Sequence, residues 1–226
     1  KNIYIKKGGN PKKIIGIMVS YNYYDTLKFT LPVNYIHFEN LYIITQPDDR
    51  DTIEICEKYN NVEVIYYNFK TNGRKFDKGG ALKLTQLKAY QEYPNNKYLV
   101  LDSDIILPIN LLDLINFDLD HNCLYGMYRY FINNNNHLKK KEFNKLSLGG
   151  WGWSYGPMGY FHLYNNSYLY EEGDSASHID QYFYTKNFNK YCMIDSYVLH
   201  LGPTNNPKYN NHKGKIINFD GKDILL

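Results

Sequence analysis

Four short apolar runs constrain the fold of this chain more than any other feature: Ile14-Ile15-Gly16-Ile17-Met18-Val19, Leu41-Tyr42-Ile43-Ile44-Thr45, Val62-Glu63-Val64-Ile65-Tyr66 and Tyr98-Leu99-Val100-Leu101. Runs of this length and character are strands buried on both faces, and the stretches between them are long enough to return the chain through a helix. Residues 51–59 have helical spacing after the turn Gln46-Pro47-Asp48-Asp49, and residues 79–93 read as a second helix closed by Pro94. Ala81, Leu82, Leu84, Leu87, Ala89 and Tyr90 are available for its apolar face. Strands alternating with helices predict an α/β fold with a doubly wound, mostly parallel sheet, whose ligands bind beyond the carboxyl ends of the strands.

Beyond residue 120 the alternation stops. Shorter strand-like pieces, 123–130 and 159–163, flank a stretch rich in Gly, Trp and Tyr at 149–159. No Pro- or Ser-rich linker divides the chain, so this half extends the same sheet with mixed strands and residues 1–226 form one domain. With 43% hydrophobic and 22% charged residues, disorder, collagen-like repeats and coiled coil are excluded. A formal net charge of +3 is too small to make nucleic acid the principal partner. Lys139, Lys140 and Lys141, after the run Asn133 to Asn136, read as a solvated loop. The chain has neither an apolar run of about 18 residues nor a signal-like start, so a cytoplasmic location and no membrane segment are expected. Cys56, Cys123 and Cys192 are odd in number and widely spaced, which predicts reduced, structural thiols. The first residue is not Met, which leaves room for a larger parent protein.

The chemistry-bearing motif is Asp102-Ser103-Asp104, directly after the apolar run Leu99-Val100-Leu101. In extended chain, residues two apart share a face, so Asp102 and Asp104 would converge on one hard cation while Ser103 faces elsewhere. Two or three protein oxygens leave coordination positions for phosphate oxygens, and the cation would neutralise a leaving phosphate. Two other readings stay open. One is a solvated turn or helix cap, where Asp is favoured. The other is a phosphatase of the haloacid dehalogenase type, whose first Asp attacks phosphate; that motif normally sits on the first strand, whereas here half a sheet precedes it.

Taken with Ile17-Met18-Val19-Ser20-Tyr21-Asn22, Ile43-Ile44-Thr45-Gln46-Pro47-Asp48-Asp49 and His200-Leu201-Gly202, the acidic motif makes the chain resemble nucleotide-sugar glycosyltransferases of the GT-A fold, family 2-like or family 8-like, over residues 14–202 in layout. The resemblance implies a single Rossmann-like mixed sheet flanked by helices, with residues 1–107 as the nucleotide-binding half and 108–226 as the acceptor-side half and tail. It implies that Ser20, Tyr21, Thr45 and Asp48 hold base and ribose, uridine being the commonest base, with Asp102 and Ser103 also on the nucleotide side. Asp102, Asp104 and His200 would be the metal ligands, for Mn²⁺ or Mg²⁺; an imidazole beside carboxylates favours Mn²⁺. Arg74, Lys75 and Lys78, just before the helix start at Gly79-Gly80, would meet the diphosphate, Lys78 foremost. Lys208, Lys213 and Lys215 read either as a lid over the phosphates or as an unstructured terminus. The composition, with 25 Tyr and heavy use of Asn, Lys and Ile, resembles that of enzymes from giant viruses or AT-rich bacteria.

The expected reaction moves a sugar from a nucleotide sugar, UDP-linked by expectation, to a glycan or other hydroxyl acceptor. Inversion needs one carboxylate as base opposite the leaving group, and Asp180 stands where inverting relatives keep it, with Asp174 as the second candidate and Glu171 and Glu172 behind. Asp180-Gln181 and His200-Leu201-Gly202 also look like the corresponding places in retaining family 8 enzymes, although the Lys-Pro-Trp ending of that family is missing. In a retaining enzyme Asp180 or Gln181 would instead stabilise an oxocarbenium-like centre. Trp151 and Trp153, set among four glycines, are candidates to stack on a sugar, with Tyr155 and Tyr160 beside them and Glu171 on the acceptor side. A non-catalytic sugar-binding domain of the same fold is the alternative.

Overall fold

Strand β1 (Ile14–Val19) sends Ile14 and Met18 to one face and Ile15 and Ile17 to the other, and all four side chains are fully buried. Such a strand needs a layer on each side, and the rest of the molecule supplies them. The computed structural model describes residues 12–71, 73–132, 159–173 and 176–201. In chain order these form β1, α1 (Tyr24–Asn34), a 3₁₀ turn (Tyr35–His37), β2 (Phe38–Thr45), α2 (Arg50–Cys56), β3 (Val62–Tyr66), α3 (Lys78–Glu92), β4 (Tyr98–Asp102), β5 (Ile105–Ile106), α4 (Leu111–Leu114), β6 (Cys123–Ile132), β7 (Phe161–Tyr164), α5 (Ala176–Asn187) and β8 (Lys190–Leu201).

One sheet of eight strands runs β3-β2-β1-β4-β7-β6-β8-β5. The first four pair in parallel, and the sheet then turns mixed: β4–β7, β7–β6 and β8–β5 are antiparallel, while β6–β8 is parallel. One face carries Ile14, Met18, Leu41, Leu99 and Leu101 against Leu27 and Leu31 of α1 and Ile55 of α2. The other carries Ile15, Ile17, Tyr42 and Val100 against Ala81, Leu82 and Ala89 of α3 and Phe183 of α5. Each fully buried aliphatic side chain contributes about 1.5–3 kcal/mol, so this double-sided core dominates the stability.

The four apolar runs are strands as expected, although β3, at the sheet edge, is only half-buried, and among the described residues β5 to β8 continue the same sheet with mixed pairing. Several expectations need correction. Helix α1 is new; Pro32 lies inside it and two of its buried residues, Thr30 and Asn34, are polar. Leu84 and Leu87 do not join the apolar face of α3 but stand 49% and 50% exposed. Strand β8 is a 12-residue strand rather than a piece at 197–199, because the polar Asp195 and Ser196 sit in a register shift and the strand runs on past them. Cys123 and Cys192 are not reduced thiols: they form a disulfide that ties the start of β6 to β8, and only Cys56 is free and buried among the described cysteines. No helix among the described residues is long and apolar enough to cross a membrane.

Candidate active site

The acidic motif lies at the carboxyl end of β4, in the middle of the sheet, and is not extended throughout. Asp102 is the last residue of β4, while Ser103 and Asp104 form a turn into β5. The two-residue periodicity of a strand therefore does not carry through the motif, and the two carboxylates take different partners. The turn is held from several sides. Thr30 Oγ1 donates to the Ser103 carbonyl at 2.7 Å, Asn34 Nδ2 donates to the Ile105 carbonyl at 2.7 Å, and Asn34 Oδ1 accepts from Leu107 N–H at 2.9 Å. From β8, Leu201 N–H donates to the Asp104 carbonyl at 2.8 Å. Polar residues buried in α1 thus serve as the cradle of the acidic turn, which accounts for a helix whose apolar pattern is poor.

Asp104 and His200 meet at the end of the paired strands β5 and β8, with Nε2 of the imidazole 2.9 Å from Asp104 Oδ2 and both residues buried. A carboxylate and an imidazole side by side are a donor set suited to a divalent transition ion. Asp102 faces the other way: Lys78 Nζ, the first residue of α3, donates to its Oδ1 at 3.1 Å. The same ammonium lies 3.7 Å from Oδ2 of Asp180 in α5. Asp102, Lys78 and Asp180 form a row in which one cation serves two carboxylates. Among the described residues no three His, Cys, Asp or Glu side chains converge on one point as they would around a metal.

Electrostatics separate the members of this row. Burial raises Asp180 to about 6; the Lys78 ammonium opposes that rise and the Asp102 charge adds to it. Burial pulls Lys78 down, yet Asp102 and Asp180 together outweigh it and hold the lysine above its ordinary value, fully charged. Oδ1 of Asp180 accepts no hydrogen bond among the described residues. Its other oxygen sits against Gly159, where a Cβ would fall 1.7 Å from Oδ2, so any larger residue there would push the Asp180 carboxylate out of place.

At the ends of β1 and β2, Ser20 and Thr45 are buried, and the left-handed Asn22 (φ 59°) closes the loop between β1 and α1. Asp49 organises this corner: its Oδ2 accepts from Asn22 N–H at 2.8 Å and from Thr45 Oγ1 at 2.9 Å. Its exposed neighbour Asp48 accepts a 3.3 Å hydrogen bond from the Tyr21 hydroxyl, and the Tyr21 ring stacks on Phe69 at 5.6 Å. A groove lined by Gln46, Pro47, Asp48, Tyr66, Tyr67 and Asn68 opens beside them. Ser20, Tyr21, Thr45 and Asp48 therefore share one corner at the carboxyl edge of the sheet.

The remaining candidates are distributed unevenly. Arg74 faces Asp77 at 3.3 Å and Glu172 at 2.8 Å. Lys75 is exposed. Glu171 is ion-paired with Lys186 at the surface. Tyr160 is buried and its hydroxyl donates to the Met127 carbonyl at 2.5 Å, a packing role rather than a loop-tip one. Trp151, Trp153, Tyr155, Asp174, Lys139, Lys140, Lys141, Lys208, Lys213 and Lys215 lie outside the described residues. Two residues that organise the site, Asp49 and Asp77, are given no role by the sequence reading. Asp49 stands next to Asp48, and only its cap position before α2 separates them; Asp77 stands immediately before Lys78 and Gly79-Gly80, a helix-cap signal that reads as local structure.

Strand order, the parallel-to-mixed change after β4 and the acidic turn at the carboxyl end of that strand define an α/β domain of the GT-A type, with a Rossmann-like mixed sheet flanked by helices. No protein-family model and no curated protein matches the sequence. Among solved structures, the chain is similar to the apo-form glycosyltransferase GlyE of Streptococcus pneumoniae TIGR4, at 16% identity and a TM-score of 0.45 over 79% of this chain and 44% of that one. It is also similar to the galactosyltransferase LgtC in complex with donor and acceptor sugar analogues, at 18% identity and 0.38 over 67% and 58%. A third similarity is to a mycobacterial protein, at 12% identity and 0.49 over 86% and 68%. The chain spans less than half of GlyE and less than two thirds of LgtC. These are likenesses of layout, and the fold assignment rests on the strand order itself.

Proposed function

We propose that the chain is a metal-dependent glycosyltransferase domain that moves a sugar from a nucleotide sugar, UDP-linked by preference, to a hydroxyl of a glycan or similar acceptor. One observation carries the reading: an acidic turn at the carboxyl end of the central strand, with the imidazole of His200 against Asp104 on one side and the Lys78–Asp180 pair against Asp102 on the other. Asp104 and His200 fit a divalent ion by donor chemistry, with Asp102 adjoining once it releases Lys78, and Mn²⁺ suits the mixed oxygen and nitrogen set. When bound, such an ion offsets the charge of the departing diphosphate.

The chain's own residues do the rest. The corner of Ser20, Tyr21, Thr45 and Asp48 receives base and ribose, where the Tyr21 ring offers a flat face and the Asp48 carboxylate accepts from a hydroxyl. Asp180 takes the proton from the attacking acceptor hydroxyl on Oδ1, the oxygen that accepts no hydrogen bond among the described residues. Its ordinary neighbours leave it ionised near neutral pH and still basic enough to accept a proton, which supports inversion over retention.

Thermal-shift titration with UDP in the presence and absence of Mn²⁺ tests the reading. Stabilisation by UDP that needs Mn²⁺ and disappears in Asp104→Ala is expected. No stabilisation by any nucleoside diphosphate with metal would sink it, and binding without transfer to any acceptor would leave a non-catalytic sugar-nucleotide domain.

A further inference from the structure

Asp77 has no exposed surface, and its carboxylate is saturated by donors from three separate segments. Oδ1 accepts from Gly80 N–H at 3.0 Å, within the first turn of α3, and from Gly173 N–H at 3.1 Å, in the segment leading to α5. Oδ2 accepts from the Tyr67 hydroxyl at 2.7 Å and from Arg74 at 3.3 Å, both between β3 and α3. Arg74 also reaches Glu172 at 2.8 Å, which closes a second link between the same two segments. The backbones are in direct contact as well: a Cβ on Gly79 would lie 1.9 Å from the Glu171 carbonyl oxygen. A helix cap needs only the Gly80 bond; the Gly173 bond joins the start of α3 to the segment that precedes α5, and Tyr67 and Arg74 tie the same carboxylate to the loop after β3.

We infer that Asp77 is a positioning residue for the candidate site, locking the start of α3 to residues 171–173 so that Lys78 from one helix meets Asp180 from the other. The inference rests on the proposed reading for its catalytic meaning, though not for its geometry. Lys78 follows Asp77 directly, and Gly173, held by the same carboxylate, packs against Ile179, the residue before Asp180, where a Cβ on Gly173 would lie 2.8 Å from Ile179 Cγ2; both partners of the 3.7 Å pair thus adjoin the clamp. Hydrogen bonds to an ionised acceptor are the stronger kind, and burial strengthens them further. Burial alone would raise the Asp77 carboxyl; the bonds from Tyr67, Gly80 and Gly173 and the Arg74 charge hold it below its ordinary value, so it remains a charged acceptor.

The test reads Lys78 directly. In ¹⁵N-labelled protein, the buried Lys78 ammonium gives a side-chain ¹H–¹⁵N signal, assigned by its loss in Lys78→Met. Asp77→Ala, and Arg74→Met as a milder cut of the same clamp, are expected to broaden or lose that signal while the backbone amide spectrum of the sheet is retained. Asp77→Asn, which keeps an acceptor for Gly80 and Gly173, is expected to restore it. With transfer activity in hand, the alanine variant should lose about a hundredfold in kcat, as expected for misplacement of about 1 Å. Donor KM should stay close to that of the unaltered chain. A folded Asp77→Ala or Arg74→Met protein with the Lys78 signal unchanged would overturn the inference. The ammonium signal judges the clamp whether or not turnover is found; absence of turnover in the unaltered protein would count against the reading, not against the clamp.

Discussion

Asp180 and Lys78 are two buried charges whose values make sense only together. The lysine stabilises the ionised carboxylate that burial opposes, and in return stays charged at a depth where an isolated ammonium would lose its proton. A base must be ionised to act, so kcat should rise with pH through about 6 and level off above it. Lys78→Met removes the cation and leaves burial unopposed, which moves that acid limb to higher pH. Asp180→Asn should retain Mn²⁺-dependent UDP binding and lower kcat by about a hundredfold to ten-thousandfold, the usual share of general base catalysis. Equal loss of UDP binding and turnover in Asp180→Asn would make the residue structural. The pH–rate profile and the UDP thermal shift check these outcomes separately.

Among the elements, α1 does more than cover the sheet. Its buried Thr30 and Asn34 bond the backbone around the acidic turn at Ser103, Ile105 and Leu107, so the helix sets where Asp104 points. Asn34→Ala leaves a buried carbonyl and a buried N–H without their partners, which costs about 1–3 kcal/mol for each group so orphaned. Chemical denaturation should read that loss, and the UDP shift with Mn²⁺ should fall with it even though residue 34 touches no ligand. The same residues show why part of the molecule was legible in the sequence and part was not. The apolar runs within β1, β2 and β4 read at once as buried strands, β3 at the sheet edge is only half-buried and carries Glu63, and the acidic motif stands out because charge follows the run in β4. Helix α1 was opaque because its inward face spends two positions on hydrogen-bonding side chains and carries a proline, which erases the apolar period. Strand β8 was cut short by Asp195 and Ser196, since a register shift is a property of the pairing and leaves no period in the chain. Arg74 and Lys78 both read as basic residues before a helix, with Lys78 foremost for its position; their partners appear only in the folded backbone, which sends one to Asp77 and Glu172 and the other into the carboxylate row.

On the scale of the whole molecule, the Cys123–Cys192 disulfide spans 69 residues and fastens β6 to β8, the strand that carries His200 next to its last residue. Cross-linking a loop of that length restricts the unfolded chain, and Cys192→Ser should lower stability by about 2–4 kcal/mol. A lower Tm for the serine variant, matched by the unaltered protein under a dithiol reductant, is the expected result; equal melting with and without reductant would show that the bond adds nothing. The pairing also sets the molecule apart from the reduced-thiol expectation, since such bonds form where an oxidant is present.

The sheet order has a temporal consequence as well. β4 pairs on one side with β1, but its other edge waits for β7, with Leu101 opposite Phe161 about sixty residues later in the chain. At a synthesis rate of roughly 5–20 residues per second, the strand that bears Asp102 emerges several seconds before its second neighbour exists. During that interval a strand apolar up to its last residue, destined for the centre of the sheet, is an open edge able to pair with another nascent chain. Yield in a cell should therefore depend on how quickly the ribosome delivers residues 105–164, and slow codons in that stretch are expected to cost soluble protein while leaving the stability of the finished molecule untouched.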